Sequence, residues 1–264
     1  MARAIVTSGQ RANPAGGSAT AGGVSFQARV TAIAAIALLR GQPLGWLSEV
    51  ERDIPNELLA ETNGPGDDLR LVLRTGAIVE AQIKKGLNRG PDLWDALLAL
   101  ARAIQTKSIG YGVLAVDFES SATVRAELAQ GIRRLGDGRD DALKDITEDF
   151  KQRLESGGLG VQTICSRLRV VVLHCAEGDA ASEMAAKAEL AHICADSAAV
   201  DHAWLALSTA AQKLMVDRGR WTLVQVKGAL RAHGVALRPG STPALPATST
   251  GSGRWLAADS SYAA

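Results

Sequence analysis

Apolar residues recur along this chain with two periods, and the switches between them lay out the elements. From about Gly23 to Leu39 a helix is predicted, with Phe26, Val30, Ile33 and Leu38 among its core residues, and Gly41, Pro43 and Gly45 end it. A strand meander follows: Glu57 to Glu61, Leu69 to Leu73 and Ala77 to Ile83, the last two alternating with period two around a tight turn at Thr75-Gly76. Parity assigns the faces. Leu69, Leu71 and Leu73 share one side with Asp67, whereas Asp68 shares the other with Arg70 and Val72. Val79, Ala81 and Ile83 face one way, and Glu80, Gln82 and Lys84 the other. Pro91 opens a helix through Ile104 with Leu93, Leu97 and Leu100 inward, and Gly112 to Phe118 suits a buried strand. Helices are expected over 122–135 and 140–154, the second with Leu143, Ile146, Phe150 and Leu154 at helical spacing. Leu168 to Leu173 reads as one more strand, and 180–233 reads as helical, with Trp204, Leu205, Leu214 and Trp221 as core.

This order is an α/β arrangement: helix, three-strand meander, helix, strand, helix, then a mainly helical extension. It is not the regular alternation of a doubly wound nucleotide-binding sheet, and no GxGxxG or GxxxxGK[ST] occurs. Residues 1–22 are rich in Gly, Ala and Ser and read as a flexible tail. Residues 23–156 form the main domain, the glycines at 157, 158 and 160 mark a boundary, 157–238 is the extension, and 239–264 is a linker or disordered tail.

Composition narrows the setting. The 264 residues are 47% hydrophobic but only 4% aromatic, so the core is built mainly from Ala, Leu, Val and Ile. A formal net charge of +1 makes any basic surface local. Three cysteines, Cys165, Cys175 and Cys194, without close pairing point to a reducing, cytoplasmic setting. No secretion signal is read at the N-terminus. Val30 to Leu39 is too short to span a bilayer, so no membrane role is expected.

Candidate chemistry is concentrated between Gly66 and Arg89. Phosphodiester hydrolysis needs an activated water and charge stabilisation at the phosphoryl oxygens, and a Mg²⁺ (or Mn²⁺) held by a few protein oxygens can supply much of this. Asp68 offers a carboxylate, Gln82 a neutral side-chain oxygen and Ile83 a backbone carbonyl. Lys84 is placed to orient water or stabilise charge, and Glu80 lies on the same face.

These residues resemble the PD-(D/E)xK nuclease superfamily, in particular its Mrr-like branch, whose final motif is commonly QxK: here Gln82-Ile83-Lys84, with Asp68 as the motif's aspartate. Further likeness lies in Gly22-Gly23-Val24-Ser25-Phe26-Gln27, where Gln27 matches a first-helix Glu or Gln that approaches the metal, and in the IVEAQIKKGL segment. The nearest resemblance is to double-stranded-DNA endonuclease domains that act as effectors in bacterial anti-phage defence, often beside a sensor or ATPase module. It implies a restriction-endonuclease-like core and a Mg²⁺-dependent endodeoxyribonuclease. The expected metal ligands are Asp68, Gln82 and the Ile83 carbonyl, Lys84 is the catalytic lysine, and Gln27 and Glu80 support the site. The expected partners are double-stranded DNA and a sensor or ATPase module or a second copy of the chain. The alternative is a catalytically inactive nuclease-fold DNA-binding or scaffold subunit of a defence complex. Its support is the uncharged Gln82 and the missing PD dipeptide, for which Gly66-Asp67-Asp68 stands instead. An adaptor or an RNA-directed nuclease are further rivals.

Other features weigh less. A second Gln-x-Lys, Gln225-Val226-Lys227, has no acidic strand before it, and Leu223, Val226 and Leu230 place it on a helix. His174, Cys175, His192 and Cys194 match no closed zinc motif. Lys84, Lys85 and Arg89, with Arg102 and Lys107, are candidates for gripping phosphates beside the metal. Arg133, Arg134 and Arg139 are mixed with Asp137, Asp140 and Asp141 and read as a solvated loop. Trp94 and Trp204 read as core rather than base-stacking platforms.

Overall fold

The structure, a computed structural model, describes residues 15–47, 49–62, 64, 68–176 and 178–240; for 15–21 only the backbone is described. Asp67, most of the expected N-terminal tail and nearly all of the expected C-terminal tail lie outside the described residues. Helix α1 (Ala15–Arg40) is followed by a 3₁₀ turn (Gly45–Leu47) and strands β1 (Pro55–Ala60), β2 (Leu69–Leu73) and β3 (Ile78–Lys84). Then come α2 (Pro91–Gln105), β4 (Tyr111–Val116), a π-helical segment (Thr123–Leu128), α3 (Ala129–Gly136), α4 (Asp145–Ser156), α5 (Val161–Cys165) and β5 (Leu168–Val172). The chain closes with α6 (Ala181–Ile193), α7 (Val200–Val216), β6 (Arg220–Thr222) and α8 (Leu223–Ala232).

The strands form one mixed sheet in the order β5-β4-β3-β2-β1-β6. The meander β1-β2-β3 is antiparallel, and β4 and β5 run parallel to β3, each reached through helices, as parallel pairing requires. Both edge strands come from the region after residue 157, so the sheet runs across the Gly157-Gly158 turn, where Gly158 has φ +67. This is an α/β fold with a mixed sheet flanked by helices and a largely helical C-terminal region, an arrangement consistent with a restriction-endonuclease-like architecture.

Alternation in β2 and β3 divides the core in two. Leu69, Leu71, Leu73, Val79, Ala81 and Ile83 are buried on one face, against α1, with α6, α7 and α8 completing that layer. α1 supplies Phe26, Val30, Leu38 and a run of buried alanines that let helices approach closely. Within it, Gly22–Arg40 is long and apolar enough to cross a membrane by length and composition, but 56% of that stretch is buried inside the fold. On the other face, Leu114, Val116, Leu168 and Val170 pack with α2, α3, α4 and α5. The helices thus cover this second face over β4 and β5, while Arg70, Val72, Gln82 and Lys84 on β2 and β3 remain half-buried.

Three expectations shift. The 140–154 helix begins at Asp145, because Ala142 takes φ +48, a left-handed conformation that a helix cannot continue through. Strand β6 interrupts the helical C-terminal region. Leu205, expected in the core, is 63% exposed on the outer face of α7, whereas Trp94, Trp204 and Trp221 are buried.

Candidate functional site: a carboxylate at the sheet end

The hairpin β2–β3 turns where expected. Leu73 N–H bonds Ala77 O at 2.9 Å and Gly76 N–H bonds Leu73 O at 2.9 Å, with Gly76 at φ +87, which a Cβ would disfavour. Asp53 braces the turn: its carboxylate accepts Thr75 N–H at 2.7 Å and Ile54 N–H at 2.8 Å. Burial pushes the Asp53 carboxyl up, but these bonds and the Arg74 charge outweigh it and hold the group below its ordinary value. The resulting register pairs Leu69 with Ala81, Arg70 with Glu80 and Leu71 with Val79.

Asp68, one residue before β2, is 6% exposed. Its Oδ1 accepts Gln27 Nε2 at 2.8 Å, its Oδ2 accepts Ile83 N–H at 2.6 Å, and Lys84 Nζ lies 3.5 Å from Oδ2. The structure therefore brings Gln27, Asp68, Ile83 and Lys84 to one point, where α1, the start of β2 and the end of β3 meet. Gln82 is half-buried on the same strand face as Lys84.

Glu80 shares that face but is differently engaged. It is completely buried, and its Oε1 accepts Arg70 Nε at 2.7 Å in an ion pair that Arg70 Nη2 joins. Gly64 closes over the pair: a side-chain carbon there would lie 2.7 Å from Glu80 Oε2 and 2.8 Å from Arg70 Nη2. Glu80, expected to support the site, is thus paired across the sheet with Arg70. Its charge is neutralised by a cross-strand arginine, which fits a structural ion pair inside the sheet rather than a metal ligand.

Asp117, just past β4, holds the chain that follows the site. Its Oδ1 accepts Gly86 N–H at 2.8 Å and Ser120 Oγ–H at 2.8 Å, while Ser120 Oγ accepts Leu87 N–H at 2.8 Å. By sequence residue 117 falls in a strand without a role; an acidic residue near the end of an otherwise apolar run is the available signal. Lys85 pairs with Glu119 at 3.3 Å and Arg89 with Asp149 at 2.9 Å, so both expected phosphate contacts are engaged within the chain. Arg102 and Lys107 lie at the far end of α2, roughly 16 Å along the helix from its start, and do not join the cluster.

Whether Mg²⁺ or Mn²⁺ fits can be judged from charge and donors. Among the described residues no group of three His, Cys, Asp or Glu side chains converges. Asp68 brings one negative charge, offset by Lys84, and Glu80 is offset by Arg70. The side-chain and peptide nitrogens nearest Asp68 point donors at the carboxylate, where a hard cation needs oxygens. The site thus offers a divalent cation a single carboxylate already engaged by donors, with the Gln82 side-chain oxygen and the Ile83 carbonyl as the other expected ligands. All three cysteines are free and buried, and burial pushes the Cys165 and Cys175 thiols up to about 12, so they are not poised as thiolate ligands or nucleophiles.

No protein-family model and no curated protein matches the sequence. Solved structures do share the fold. The Acinetobacter baumannii Cap4 SAVED/CARF-domain containing receptor aligns with a TM-score of 0.53 and 10% identity over 80% of this chain and 44% of the receptor. It does so in its structures with the cyclic trinucleotides 2'3'3'-cAAA and 3'3'3'-cAAA. A further structure of the same receptor aligns with a TM-score of 0.52 and 10% identity over 80% of this chain and 46% of the receptor. The chain thus spans less than half the length of these receptors, and the likeness concerns the fold. It corrects the expectation about the partner. Against the expected double-stranded DNA, two of the structures sharing this fold are of a receptor solved with cyclic trinucleotides.

Proposed function

We propose that this chain is the nuclease-fold part of a Cap4-like receptor of bacterial anti-phage defence and that it works there as a scaffold subunit, its former catalytic centre retained for structure. One observation carries this reading: the motif's carboxylate, Asp68, is tied to Gln27, the Ile83 peptide and Lys84, so the residues that would bind a cation instead lock α1, β2 and β3 together. Such a junction contributes stability through satisfied buried polar groups and needs no metal. The likeness in fold to Cap4 receptors supports the defence setting.

A metal-dependent endonuclease is the second reading. It is favoured by the convergence of Asp68, Gln82 and Lys84 on one sheet face with the Ile83 peptide between them. In it Asp68, Gln82 and the Ile83 carbonyl would hold Mg²⁺ or Mn²⁺.

One experiment separates the two. Purified protein is incubated with plasmid DNA and with RNA, in Mg²⁺, Mn²⁺ or EDTA, with and without cyclic triadenylate, beside Asp68→Ala and Lys84→Ala. The scaffold reading expects no cleavage in any arm and no heat of Mg²⁺ binding by calorimetry. Metal-dependent cleavage that both substitutions abolish would overturn it in favour of the endonuclease.

A further inference from the structure

A groove runs beside the outer edge of β5, between α3 and the turn at Gly45–Leu47. It consists of two cavities of about 500 and 420 Å³ that share Gln130 and Arg133 in their walls. Arginines project into it along its length: Arg125 at one end, Arg133 in the middle, and Arg134, Arg139 and Arg169 at the other. In the sequence Arg133, Arg134 and Arg139 read as part of a solvated loop, and two of the three are held in ion pairs. Arg139 pairs with Asp137 at 2.6 Å and Arg134 with Asp141 at 2.9 Å.

Arg133 and Arg169 are different. Both approach the same oxygen, Oε2 of Glu49, at 3.5 and 3.8 Å, too far for good hydrogen bonds. The Glu49 side chain is 55% exposed, whereas that of Arg169 is only 7% exposed. Arg169 Nη1 donates to Cys165 O at 2.9 Å and Leu168 O at 2.7 Å, which fixes the guanidinium in the groove wall. Its Nε is buried and has no acceptor. Burial holds Arg169 below its ordinary pKa, with the Glu49 charge the largest opposing influence. A buried guanidinium nitrogen without an acceptor is costly, and one loosely held carboxylate cannot satisfy two guanidinium forks.

From this geometry we propose that the groove is an anion site for the phosphate groups of a nucleotide or oligonucleotide, seated between Arg133 and Arg169, and that Glu49 is a tethered stand-in which the phosphate displaces. A phosphate carries several acceptor oxygens and more charge than a carboxylate, so it can engage both guanidinium groups at once. The continuation of the groove to Arg125 gives room for a second phosphate. The site does not depend on the reading of Asp68: β5 stands two strands from β3, roughly 10 Å away across the sheet.

The test uses the whole chain and three probes: inorganic phosphate and AMP by calorimetry, and a fluorescein-labelled oligoadenylate hexamer by anisotropy. Arg133 and Glu49 are both about half exposed, so changes at either leave the fold intact. Arg133→Ala weakens probe binding by roughly tenfold, and Glu49→Gln, which removes the competing charge, tightens it several-fold. These opposite signs are what a stand-in carboxylate requires. Comparable affinity for all three probes assigns the site to single phosphates, and clearly tighter hexamer binding assigns it to an oligonucleotide backbone. The proposal is overturned if no probe binds at millimolar concentration, if both variants bind like the parent, or if Glu49→Gln weakens binding.

Discussion

Two Gln-x-Lys segments in this chain have nearly the same side chains and opposite fates. In β3, Gln82 and Lys84 are two residues apart on a strand, so they point to one face, and Asp68 stands 3.5 Å from Lys84. In α8, Gln225 and Lys227 are two residues apart on a helix and point to nearly opposite sides. There Gln225 turns back to accept Thr222 N–H at 2.8 Å and completes a capping box with the Thr222 side chain, while Val226 between them is buried in the core. The contrast teaches that residue spacing becomes a site only through the period of the element that carries it. Even then, the neighbours of the strand copy bring nitrogens to Asp68 and an arginine to Glu80, the geometry on which the scaffold reading rests.

The strongest way to break this comparison is to remove Glu80. Glu80→Ala leaves Arg70 beside a buried gap and is expected to cost about 3 kcal/mol in urea unfolding; a loss near zero would mean that Glu80 is not a structural ion-pair partner and is available for chemistry. Next comes Asp68→Ala, which strips the Ile83 N–H and Gln27 of their acceptor. Leaving that peptide unsatisfied should lower stability by about 2 kcal/mol, and a stabilised variant would instead mark Asp68 as a residue retained at a cost for function. In the helical copy the effects shrink. Gln225→Ala removes half of the capping box and should cost about 1 kcal/mol, whereas Lys227→Ala should change stability by less than about 0.5 kcal/mol; the reverse order in thermal melts would contradict the capping role.

The smallest effect lies in the turn that aligns the strand copy. Because the folded pKa of Asp53 is depressed below its unfolded value, its contribution is present above the usual carboxylate range. It is lost as pH falls through the lowered folded value. Stability of the parent should therefore decline below about pH 4 more than that of Asp53→Asn, by less than about 1 kcal/mol because the group is partly solvated. Parallel acid titrations of the two proteins measure the difference.

Much of the fold was legible because its signals are local. The alternation of leucines with Arg70 and Val72, the Thr75-Gly76 turn, and the helical spacing of Leu93, Leu97 and Leu100 each need only a few neighbouring residues to be read. Strand β6 was not legible: three residues embedded between helical patterns carry no period of their own, and they are a strand only because β1 offers an edge to pair with. The exposure of Leu205 was equally hidden, since helical spacing does not say which apolar residue meets another helix.

The sequence by itself determined which faces Asp68, Glu80, Gln82 and Lys84 occupy, since side-chain alternation is a property of any extended backbone. It even held the cross-strand pairing, because a hairpin folded about Thr75 sets residues equidistant from it opposite each other, and Arg70 and Glu80 are so placed. Only the tertiary structure decided what those residues do. Gln27 reaches Asp68 from a helix 41 positions away, and Gly64 packs directly against the Arg70–Glu80 pair. In the same way Arg133 and Arg169, far apart in the chain, come to share a single Glu49 carboxylate. Donor count, burial and charge balance depend on every element that converges on a point, and no local pattern along the chain encodes that sum.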